Sequence, residues 1–164
     1  MALAAVEQLE AGDEPQVAQL LEHQDYEMRQ AAAEALGGLE RVGPQTLVAL
    51  MQALTDSDSD VRQAAREALG SLAKRDAEVV TQLRHVLTEG DKEVRGGVLS
   101  VLAAVEQLQA RDEPQLVELL EHQDYEMRQA AVEALGRLVQ ASDEVVAAVI
   151  ERLEKEREPW LRLQ

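Results

Sequence analysis

The chain has 164 residues, 46% of them apolar, enough to bury a core of its own, yet it carries no Phe, no Cys and only three aromatic side chains, Tyr26, Tyr125 and Trp160. Thirty-two acids against sixteen bases give a formal charge of −16, which repels phosphates and argues against a nucleic-acid partner. Lack of Cys removes disulfides, thiolate zinc sites and cysteine nucleophiles; no apolar run approaches the roughly 18 residues of a membrane span, and MALAAVEQLE lacks the basic start of a leader, so a cytoplasmic location is expected.

In chain order, residues 1–24 make a partial unit, in which Asp13-Glu14-Pro15 marks the start of a second helix, since proline fits the first helical turn and no later one. A full unit follows at 25–57. Asp25 stands before its first helix, where a carboxylate can accept a free backbone N–H, and Glu27 favours the positive end of the helix dipole. Met28, Ala32, Ala35, Leu36 and Leu39 then recur at spacings of three and four, the pattern of one buried helical face. Gly43-Pro44 starts a second helix with its own stripe, Leu47, Leu50, Met51 and Leu54. Units 58–90, 91–123 and 124–157 repeat this plan, with Asp58, Asp91 and Asp124 as caps and Asp76 and Ser142-Asp143 opening second helices. Residues 158–164 look like a further start, displaced by one. The pattern predicts one all-α array over 1–164, with about eleven helices counting the partial ones at both ends.

The period is 33 residues. Arg29, Arg62, Arg95 and Arg128 follow it, each closing a short Asp-x-x-x-Arg pattern, and so do Leu36, Leu69, Leu102 and Leu135. A longer repeat lies on top: residues 3–39 match 102–138 at 30 of 37 positions, an identity that reflects recent duplication or deliberate construction. In the third unit Gly96-Gly97 replaces Gln-Ala inside a helix, at a cost of about 1 kcal/mol per glycine. Close packing is the expected reason, with a flexible point in the array as the alternative.

Asp58-Ser-Asp-Val-Arg-Gln-Ala-Ala-Arg-Glu-Ala-Leu-Gly-Ser-Leu72 resembles the HEAT repeats, in particular the short bacterial form also called the phycobilisome-lyase type. Ankyrin repeats share the period but need a Thr-Pro-Leu-His turn, which is absent. The resemblance implies a right-handed α-solenoid of stacked helix-turn-helix units, with the Asp and Arg of successive units forming a ladder between layers. It also implies that second helices line a concave face. Bilin lyases share such repeats, which gives an enzymatic alternative, but the chain carries no catalytic signature, and a repeat scaffold does not itself define a function.

Asp56-Ser-Asp58-Ser-Asp60 has the alternating acids of a calcium loop, with Glu67 at the twelfth position, but Val61 occupies the sixth, where that loop needs glycine. Helix capping is the better reading. His23, His85 and His122 lack paired ligands at metal spacing and are expected to be solvated surface side chains; no cofactor or metal is implied. The informative positions are those turned away from the second-helix stripe. Gln19, Gln52, His85, Glu118 and Glu151 lie 33 residues apart, flanked by Gln16, Gln82 and Gln115. These form the expected concave contact surface, grading from amides to carboxylates and suited to a polar or basic protein or peptide. The predicted function is thus a non-enzymatic protein-binding scaffold, with an engineered repeat scaffold lacking a natural ligand as the alternative. Neither end carries a polar cap, so the chain is expected to be a piece of a longer array or to cover its ends by self-association.

Overall fold

The computed structural model describes residues 11–123 and 125–138, with residues 143, 146–147, 149–152 and 154–155 beyond them. All regular structure among the described residues is helical: α1 Glu14–Gln19, α2 Tyr26–Gly38, α3 Pro44–Ala53, α4 Ser59–Arg75, α5 Ala77–Glu89, α6 Lys92–Ala104, α7 Glu113–Leu119 and α8 Tyr125–Arg137. Residues 149–152 are helical as well. The chain falls into two compact units, Met1–Val105 and Glu106–Gln164. The boundary follows α6, where Glu106 adopts a left-handed backbone with φ 58°. Ser142, Asp124 and Trp160 lie outside the described residues.

Helix starts follow the acidic caps. Asp25 accepts from the Glu27 N–H at 3.0 Å, Asp58 from Asp60 and Val61 at 2.9 and 3.3 Å, and Asp76 from Glu78 at 2.9 Å. Asp91 departs from the expectation: it precedes α6 in extended backbone, but its side chain makes no capping bond. Pro15, Pro44 and Pro114 each sit in a first helical turn.

The core of each layer is the predicted stripe. Leu36, Leu69, Leu102 and Leu135 are all buried, and so are Leu50, Leu83 and Leu116, which also stand 33 apart on the second helices. One expected member of the stripe is not: Met28 is 39% exposed, whereas Met127 in the same register is buried.

Three of the arginines that recur every 33 residues, Arg29, Arg62 and Arg128, close turns, whereas the Arg95 Nε is buried without a hydrogen-bond partner. The Nη1 group of Arg62 donates to the carbonyls of Asp56 and Ser57 at 2.9 and 3.1 Å, closing the turn that leads into its own helix. Arg29 does the same to His23 and Gln24, and Arg128 to His122 and Gln123. Arg29 also grips Asp56 with two parallel bonds, Nε to Oδ2 at 2.8 Å and Nη2 to Oδ1 at 2.9 Å. One turn is therefore held by α2 through the Asp56 side chain and by α4 through the Asp56 backbone. A second tie runs from Arg75 at the end of α4 to the Gly37 carbonyl.

Close approach of the first helices depends on small side chains. A Cβ on Gly37 would lie 2.7 Å from the Ala68 Cα, so α2 meets α4 almost backbone to backbone. Gly97 has a similar role against α3, where a Cβ would stand 2.7 Å from the Leu54 Cβ. The helix α6 runs unbroken through Gly96-Gly97, and Gly97 serves packing.

Two outcomes follow. Gly37→Ala has to push α2 off the Ala68 backbone, and a urea titration should show a loss of about 1–3 kcal/mol. Gly136→Ala, with nothing near its new methyl group, should gain about 0.5 kcal/mol. Burial pushes the Asp56 carboxyl up, but the Arg29 hydrogen bonds, the Asp58 N–H and the charges of Arg29 and Arg62 outweigh it and leave its pKa below the ordinary value. A carboxylate so depressed stabilises the fold above its unfolded pKa, and that contribution disappears as pH falls through the folded one. Asp56→Asn should therefore cost about 2 kcal/mol at neutral pH, and the gap to the native chain should shrink below about pH 4.

Candidate functional site

Each second helix turns one side to solvent, because its apolar stripe is taken up by the first helices. In the first unit Gln16 and Gln19 lie on α1, Gln52 on α3, and Gln82 and His85 on α5, and all five are exposed. Gln82 donates to Glu78 at 2.8 Å along the same helix. In the second unit Glu118 is exposed on α7, and Glu151 is exposed and paired with Lys155 at 3.0 Å. Gln115 differs: it is half-buried, and its Oε1 is enclosed without a hydrogen-bond partner.

Gln19 also lines a groove of about 610 Å³ between α1 and α3. Glu14, Glu22 and Thr46 share it. Glu14 fixes the groove, because its Oε1 accepts from the Gly43 N–H at 2.6 Å and so joins the first turn of α1 to the start of α3. Sequence reasoning placed Glu14 only at a helix start. The signal that could have singled it out is its recurrence as Glu113 in the duplicated block.

The acidic run Asp56 to Asp60 is occupied by structural work. Asp56 serves Arg29 and the Asp58 N–H, and Asp58 caps α4. Among the described residues no group of three or more His, Asp and Glu is placed to hold a metal ion, and no helix is long and apolar enough to cross a membrane.

The histidines correct one expectation. His85 is exposed, and so is His23, whose Nδ1 accepts from the Asp25 N–H at 3.1 Å, the part Asp56 plays for Asp58. His122, the duplicate of His23, is buried at 7% exposure. It stands between α7 and α8 with its carbonyl bound by Arg128, as the carbonyl of exposed His23 is by Arg29, so the shared turn does not set the difference in burial.

Paired helices with a recurring Leu core and an Asp-Arg turn define an all-α helical-repeat protein. A family profile described as HEAT repeats matches residues 14–103 and again 81–164, and the chain belongs to the HEAT-repeat family. Three crystal structures of engineered proteins are similar to it, at 24%, 28% and 24% identity and TM-scores of 0.44, 0.45 and 0.46. They align with 85%, 85% and 92% of this chain and 68%, 69% and 43% of their own lengths. No curated protein matches the chain.

The Glu14 contact has a direct check. Glu14→Ala leaves the Gly43 N–H without its carboxylate, so amide exchange at Gly43 should accelerate and stability should fall by about 1–2 kcal/mol.

Proposed function

We propose that this chain is a non-enzymatic protein-binding scaffold of the short, 33-residue HEAT type, holding a polar or basic protein segment along the exposed side of its second helices. In this reading the second helices line the concave side of a right-handed solenoid, and the Cys-free composition supports a cytoplasmic setting. The observation that carries the reading is the groove at Gln19, where an exposed amide lies beside the carboxylates of Glu14 and Glu22. A basic side chain would find hydrogen-bond acceptors and negative charge there together. Gln52 and His85 continue exposed polar positions at the same register.

A second reading, a repeat scaffold constructed without a natural ligand, rests on the block in which 30 of 37 positions recur at an offset of 99. The two separate on one variant series. If the scaffold binds a protein segment as proposed, changing Gln52, His85 and Glu118 together to Ala should weaken a purified partner at least tenfold by calorimetry, about 1.4 kcal/mol. Undiminished affinity in that variant would exclude this face as the binding surface.

A further inference from the structure

The first helices carry a polar pair on their outer side in every described repeat but one. Gln30 donates to Glu34 at 2.8 Å, Gln63 to Glu67 at 2.6 Å and Gln129 to Glu133 at 3.2 Å. In α6 the same two positions are Gly96 and Ser100, so both the amide and the carboxylate are missing. A third departure accompanies them. Where α4 presents Ala68 to Gly37, α6 has Val101 in the same register, and the atom that faces Gly70 belongs to Val105. The contact is looser there: a Cβ on Gly70 would meet nothing nearer than the Val105 Cγ1 at 3.6 Å, against 2.7 Å for the Gly37 contact.

Between α4 and α6 these changes leave a groove of about 480 Å³, with no residue of α3 or α5 in its lining. Gly70, Ser71, Ser100 and Ala104 form part of its lining, and Arg66 and Lys74 stand along its α4 side. Glu67 and Gln63 also border it: the Gln63 amide donates to Glu67, and its oxygen accepts from Nε and Nη2 of Arg66 at 3.2 and 2.9 Å, which holds the guanidinium at the groove's edge. The local charge runs against that of the chain. The groove's charged lining is two bases, Arg66 and Lys74, and one acid, Glu67, while the whole chain holds sixteen bases and thirty-two acids.

We propose that this groove docks an extended acidic peptide segment bearing two carboxylates four residues apart. Arg66 and Lys74 are eight residues apart on one helix, about 12 Å along its axis. An extended segment rises about 3.3 Å per residue and returns side chains to the same side every second residue, so carboxylates four apart span about 13 Å and face the same way. The small side chains opposite the two bases admit the peptide backbone, and the carboxylate that would repel it in the other repeats is replaced by Ser100. This site lies on the first helices and is independent of the second-helix surface proposed above.

The test is fluorescence anisotropy of the full chain with the labelled heptapeptide Gly-Glu-Ala-Val-Ala-Glu-Gly at low salt, where surface charges are least screened. Saturable binding is expected, reduced at least tenfold when both peptide glutamates become glutamine. Ser100→Glu, which restores the residue type of the other repeats, should reduce it by a similar factor with an unchanged thermal melt. Lys74→Gln should weaken it several-fold. Equal binding of the glutamine peptide, or no binding of the glutamate peptide, overturns the proposal on the native chain without any variant. Concentration-dependent dimerisation abolished by Ser100→Glu would assign the groove to a second copy of the chain and overturn it as well.

Discussion

When one helix ends and another begins within a few residues, backbone carbonyls are left at the first terminus and amides at the second, and both need partners. In this protein the Asp-x-x-x-Arg pattern supplies them from a single turn of helix at Asp25–Arg29 and Asp58–Arg62. The aspartate takes the amides of its own helix, and the arginine reaches back to two carbonyls of the preceding turn. Because the arginine is planar and carries several donors, one side chain can close the turn and still hold a carboxylate, as Arg29 does with Asp56. The pose of α1 relative to α2, and of α3 relative to α4, follows from that closure. So does the side on which Gln19 and Gln52 emerge.

The second constraint is the width of the residues between layers. Phe has no place in an array where α2 and α4 meet at Gly37 and Ala68, and the core is filled instead by Leu, Val and Ala. The glycines of α6 belong to the same logic: Gly97 lets α6 settle on Leu54, so the helical cost of a glycine is offset by contact with its neighbour. The same dependence on small differences in side-chain size distinguishes the α4–α6 gap, where valine replaces alanine.

Much of this was legible in the residues. The caps at Asp25, Asp58 and Asp76, the proline starts and the 33-residue leucines could be read directly, because each rests on local geometry that a short window contains. Other features depend on neighbours that sequence spacing does not supply. Asp91 has the right position and no capping bond. His23 and His122 share an identical local sequence and differ in burial, so layer surroundings decide what the duplicated motif cannot. Seven of the eight polar positions read as solvent-facing are exposed, since they oppose a strong apolar stripe, and the eighth, Gln115, is half-buried. The groove beside Gln19 was not, because Glu14 acts across 29 residues on the Gly43 amide.

A chain built on a 33-residue period repeats its helix register from unit to unit, so a partner that reads only the shared positions meets them again every 33 residues. Gly96, Ser100 and Val101 break that translational symmetry at one place. A ligand that reads them has a single register available, and its position along the array then fixes the position of anything attached to it.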